Sequence, residues 1–376
     1  MFLFSMDYTG SVISRRSFLA APFLAACGRG RGGAGFRGYA FVANEEGEAV
    51  AAVDLETLSV ARHIALAGAP TSVLAAAARP SIYALTPGNG TVHEIGVDRL
   101  SFIRKLTIAS TAVSMQMSAD GAALYVLSRD PRALVRVELD TFTVDWTLPL
   151  LEDPVDFALA SDKKTAAVSL TSGVNLVDLG GGRLGNPAGS GDFGALRFLS
   201  DASMLIAANR GQRVLSVYDV ATSRLITHLP LVVRPDYLCF NADGGQLFVT
   251  GDGMDAVVVV YPYHTPQVAE TVLAGRAPGP MAASQALLFV ASPLSGEVSI
   301  LQIASRRVIA VVSVGNDPGF VTVTPDDQYA LVLNRKSGDV AVLRVGTITR
   351  NRDRRAALLT VIPVGSRPVS AAVRAV

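Results

Sequence analysis

The chain has 376 residues, half of them apolar and 17% charged, with 33 basic against 32 acidic residues and a formal charge of +1. This length allows two or three ordinary domains, and the composition excludes a disordered chain, a coiled coil and a collagen-like repeat. Balanced charge removes any strong drive toward nucleic acid, and two cysteines rule out a disulfide-rich scaffold.

Near the start, Ser14-Arg15-Arg16 leads into a short apolar run over residues 18–26 that ends in small residues and Cys27. A paired arginine ahead of such a run is the layout of an export signal, and the run falls short of the ~20 residues a bilayer requires. The order Ser14-Arg15-Arg16-Ser17-Phe18-Leu19 resembles the twin-arginine export signal of bacteria, and Leu24-Ala25-Ala26-Cys27 resembles a lipobox. The resemblance implies that residues 1–27 form a signal peptide and that Cys27 carries lipid as the mature N-terminus. It places the protein in the bacterial cell envelope, held to a membrane on the periplasmic or outer-surface side. Residues 1–13 make a long lead, so Met6 is an alternative start. Removing residues 1–27 takes away Asp7, Arg15 and Arg16 and leaves a mature chain with no net charge. Residues 28–38, rich in glycine and arginine, read as a flexible tether. Gly28, Gly30 and Gly33 fit G-x-G-x-x-G, but they lack the preceding strand and following helix that would aim amides at a pyrophosphate.

From residue 39 onward a repeat dominates. Small apolar segments begin at Phe41, Tyr83, Tyr125, Ala167, Ile206, Phe248, Phe289 and Leu331, at intervals of 42, 42, 42, 39, 42, 41 and 42 residues. Five residues before an anchor stands Asp120, Asp162, Asp201, Asp243 or Asp326, a turn-forming residue. Thirteen residues before one stands Pro70, Pro154, Pro235 or Pro318, where a strand can begin without losing a ladder donor. Further apolar segments follow each anchor, so each unit holds four short β-branched-rich runs with no helical periodicity. Four strands per ~42 residues is the pattern of a β-propeller blade. Eight anchors predict an all-β propeller of eight four-stranded blades, or seven if the short fourth unit is not a true blade. Residues 367–373 look like the strand that precedes an anchor, yet the chain ends before another anchor could follow, while Phe41 lacks a preceding strand. The C-terminal strand is therefore expected to complete the first blade.

The segments Phe248-Val249-Thr250-Gly251 and Phe41-Val42-Ala43-Asn44, with the Asp-Gly turn ahead of the former, resemble the YVTN-type propeller repeats of bacterial and archaeal surface or periplasmic proteins. The resemblance covers about residues 39–376 and implies that the Pro-led strand is innermost and the anchor strand second. Anchor-end loops and the loops leading into the inner strands then share one face, called the top. Those loops offer Asp153, Asp156, Asp192, Arg234 and Asp236 as candidate ligand-binding residues. Arg276, Asp317, Asn334 and Arg335 complete the set.

His63 and His228 fall on outermost strands, His93 on a third strand and His264 just after one, so all four read as surface residues away from the channel. That placement argues against the axial-histidine haem site of the nitrite reductase propeller, and without C-x-x-C-H no c-type haem is attached. Cys239 reads as a small buried hydrophobe. No hydrolase, metalloprotease or phosphate-loop motif is present, and the sequence requires no cofactor and identifies none. The stretch from Arg350 to Arg355 forms a basic bottom-face loop that would meet anionic headgroups. The residues favour a lipid-anchored, non-enzymatic binding module whose top face takes a protein or small ligand. The alternative is a propeller enzyme of lactonase or quinoprotein-dehydrogenase type, with Asp153, Asp156, Asp236 and Asp317 around a divalent ion at the channel mouth, or a quinone there.

Overall fold

The computed structural model describes residues 35–350 and 357–376. The export-signal residues Arg15, Arg16, Phe18 and Leu19, the lipobox Cys27, most of the tether and the basic residues 351–355 lie outside them. Among the described residues, thirty-two strands form eight antiparallel four-stranded sheets. Blade 1 combines Gly38–Asn44, Ala49–Asp54 and Ser59–Ala65 with the C-terminal strand Pro368–Ala375. Blades 2 to 8 follow in chain order, each four consecutive strands, and their first strands pair only with the second strand of the same blade. Each first strand also approaches the first strand of the next blade, from Pro368–Ala375 through Pro318–Val323 and back, so these strands wall a central channel.

The apolar runs follow from this stacking. Eight buried clusters each join two neighbouring blades, and alternate residues of one strand serve two of them. Phe41 and Ala43 pack toward blade 2, whereas Ala40 and Val42 pack toward blade 8. Both faces of the second strand are dry, and burying Phe41 alone contributes about 2 kcal/mol.

All five repeat aspartates act in the same way. The Oδ1 atoms of Asp120, Asp162, Asp201, Asp243 and Asp326 each accept the backbone N–H two residues on, closing the turn between first and second strands. In all eight blades the pairing of the third and fourth strands carries a register shift. These bulges twist the outermost strand, the outer edge of each sheet, away from edge-to-edge pairing.

The short fourth unit is a complete blade, which removes the seven-blade alternative. Its second strand ends at Leu170 and its third begins at Gly173, leaving a two-residue turn. The Glu152 carboxylate holds that turn by accepting from Thr171 Oγ1, Ser172 N and Ser172 Oγ. Closure is as expected: Gly38–Asn44 pairs with Pro368–Ala375 from Gly38↔Ala375 to Asn44↔Pro368.

Candidate functional site

Second strands end, and first strands begin, on the top face, so the candidate loops do share one side. What the structure brings together is chiefly ion pairs. Arg210 Nη2 donates to Asp192 Oδ1 and Arg335 Nη2 to Asp317 Oδ1, each at 2.7 Å, and in both cases the arginine N–H also bonds the aspartate carbonyl. These two latches are the same device on blades 5 and 8, with glycine two residues after the aspartate in each. The arginine lies over that glycine: a Cβ on Gly194 would stand 3.0 Å from Arg210 Cδ, and one on Gly319 would stand 2.6 Å from Arg335 Cδ. Blade 1 uses the latch with its charges exchanged. Glu45 N donates to Arg367 O at 3.0 Å, and Arg367 Nε lies 3.0 Å from Glu45 Oε2.

Arg234 Nε spans both oxygens of Asp236 at 2.8 and 3.0 Å, and Asp236 Oδ2 accepts the Asp252 N–H. Asp153 pairs with Arg132 of blade 3, both half exposed. Asn334 is not a surface ligand. It is fully buried, donating to Val314 O of blade 7 and to Asp339 Oδ1, so it brackets two blades together. Asn44 does the same toward Val364 O. Arg276 is exposed and makes no ion pair among the described residues.

Asp156 lies inside the channel, on the first strand of blade 4. Burial pushes its carboxyl above the usual range, against the pull of Arg197 on the first strand of blade 5. At the Arg197 level stand Cys239, paired with Phe248, and Gln116, paired with Tyr125. Gln116 donates to Phe157 O and accepts from Leu159 N, tying blade 3 to blade 4. Cys239 is part-buried, and burial raises its thiol to about 11, above the range of a reactive thiolate.

The four carboxylates of the divalent-ion alternative do not converge. Asp153 is bound to Arg132, Asp156 is in the channel, and Asp236 and Asp317 are held by arginines on blades 6 and 8. Among the described residues no group of three or more His, Cys, Asp or Glu side chains is placed to hold a metal ion. One histidine corrects the sequence reading: His93 is 1% exposed, with Nε2 3.1 Å from Thr86 Oγ1. Burial, then Lys105, lowers its pKa to about 4. Nearby Glu94 is a buried acid that the sequence did not announce, accepting from Ser81, Tyr83 and Arg104.

Two grooves open on the top face beside the closed latches. One, of about 470 Å³, lies between blades 6 and 7, where Asp236, Asp252 and Asp255 stand beside Tyr237, Met254 and Leu294. Those three apolar side chains are 41, 40 and 73% exposed. Charge reasoning missed them. For Met254 and Leu294 the signal was an apolar residue inside turn-forming sequence, as in Gly251-Asp252-Gly253-Met254-Asp255 and Pro293-Leu294-Ser295-Gly296. The second groove lies between blades 8 and 1 and contains Asp317, Arg335 and Arg367.

No family model matches the chain, and no curated protein matches its sequence. Solved structures match it in shape. The dihydro-haem d1 dehydrogenase NirN in complex with DHE is 13% identical with a TM-score of 0.73, over 92% of this chain and 77% of that one. Apo AztD from Citrobacter koseri is 12% identical at 0.67, over 90% and 98%. Kuenenia stuttgartiensis hydrazine synthase is 16% identical at 0.55, over 81% and 91%. At these identities the likeness is one of fold alone.

Proposed function

We propose that this chain is a YVTN-type propeller lipoprotein of the bacterial envelope, exported through Arg15-Arg16 and anchored by lipid on Cys27. In this reading it acts as a binding module through its top face. The observation that carries the binding role is the groove between blades 6 and 7. Three large apolar side chains stay in water there, beside three carboxylates, on a face whose other charges are mostly latched to one another. Exposed apolar groups gathered in one concave place, rimmed by polar ones, mark an interaction site. Asp252 makes no ion pair among the described residues, so the groove suits a ligand or protein segment that joins an apolar group to a positive charge.

The test uses protein released in detergent from its native membrane, with native mass, metal content and absorption spectrum recorded together. Lipid mass on Cys27 and a bound partner lost in the Met254→Ser, Leu294→Ser double variant are the expected results. A stoichiometric metal, quinone or chromophore would overturn the binding-module reading in favour of an enzyme. A chain without lipid mass would overturn the anchor.

A further inference from the structure

The second groove holds about 710 Å³ and straddles the seam where the ring closes. One wall is the turn at residues 335–338 of blade 8, and the other is residues 365–367, which lead into the C-terminal strand, with Glu46 beside them. We propose that this groove binds the oxyanion group of a ligand, a carboxylate or a phosphate, between Lys336 and Arg367. The site is separate from the groove between blades 6 and 7 and stands or falls without it.

Three cations and two carboxylates line the groove. Arg335 is committed through one Nη to Asp317, and Arg367 reaches Glu45 at 3.0 Å and Glu46 at a loose 3.6 Å. Lys336 has no carboxylate within 4.0 Å among the described residues and stands exposed, so it is the cation of this lining that no ion pair holds. A guanidinium offers five N–H donors, and the ion pairs leave part of the Arg367 fork unused.

The exchanged latch of blade 1 creates this arrangement. Blade 5 places an aspartate, Asp192, where blade 1 places Arg367. Because the first blade reverses the pair, a second cation lines the same groove as Lys336. A ligand oxyanion held by both residues would join blade 8 to the segment that starts the C-terminal strand. Binding is therefore linked to ring closure, and a ligand that binds only the closed ring raises its stability.

The experiment is thermal unfolding of the full chain with inorganic phosphate or succinate titrated against chloride at constant ionic strength, together with 31P line broadening for phosphate. The wild type should show a saturable rise in melting temperature with at least one oxyanion. Lys336→Ala, an exposed change that leaves the fold intact, should weaken apparent affinity about 10-fold, and Lys336→Glu should abolish the effect. Saturation by phosphate alone assigns phosphoryl ligands, and saturation by succinate alone assigns carboxylates. If neither oxyanion gives a saturable rise in the wild type, or if Lys336→Glu retains it, the proposal is wrong.

Discussion

His93 makes the stability of this propeller depend on pH in a calculable way. It sits on the third strand of blade 2, opposite Lys105 of the outermost strand, with Nε2 on Thr86 Oγ1 and Nδ1 buried without a partner. Burial and the Lys105 charge lower its pKa from 6.5 to about 4, so the folded chain keeps the ring neutral where the unfolded chain protonates it. Below pH 6.5 the unfolded state binds more protons, and stability falls as pH drops until the folded ring protonates near pH 4. At 1.36 kcal/mol per pKa unit, the loss from this residue is about 2 kcal/mol at pH 5 and about 3 kcal/mol at pH 4. Urea unfolding at pH 7 and pH 5 measures it against His93→Gln, which retains a hydrogen-bonding group toward Thr86 but cannot titrate. Carboxylate contributions are common to both proteins and cancel in the comparison. The wild type should lose about 2 kcal/mol more than the variant between the two pH values. Equal losses, or NMR titration of the folded His93 ring near pH 6.5, would refute the reasoning.

Deleting residues 367–376 should remove the inner strand of blade 1 and the Arg367–Glu45 latch, lowering the melting temperature by more than ~10 °C; an unchanged melting curve would contradict closure by the C-terminal strand. Gly319→Ala should displace the Arg335 side chain that lies over residue 319 and cost about 1 kcal/mol in chemical denaturation, while Gly88→Ala, with nothing near its added carbon, should cost measurably less. Asp156 has its pKa raised by burial in the channel, so its neutral form favours folding at low pH and that contribution is lost as pH rises through the folded pKa. Asp156→Asn should therefore raise stability at pH 7, and a lower urea midpoint for the variant would show that the carboxylate is a needed charge.

The contrast between what the sequence revealed and what it hid has a physical basis. The fold was legible because each blade needs the same burial on both faces of its second strand, so apolar runs such as Leu331-Val332-Leu333 recur in phase. Asp120 and its four equivalents were legible as turns because one side-chain geometry solves the same loop problem five times. Ring closure was legible because an unpaired strand at each end of the chain has one economical solution. The sites were harder because charge in a loop is ambiguous in sequence. Asp192, Asp317, Arg335 and Asp236 all stand where ligand-binding residues were sought, but the nearest opposite charge is a neighbour in the same blade. Asn334 was misplaced because a polar residue ending a strand can face solvent or cap the adjacent blade, and only the stacking of blades decides. His93 was misplaced for a related reason: the third strand is buried, and nearby Thr86 offers a partner that a polar side chain can accept. In a propeller, repeated charges at equivalent positions are first suspects for latching the ring, and the departures from that repeat are what point to ligands. Met254 and Leu294 depart by being apolar in turns, and Arg367 departs by reversing the sign of its pair.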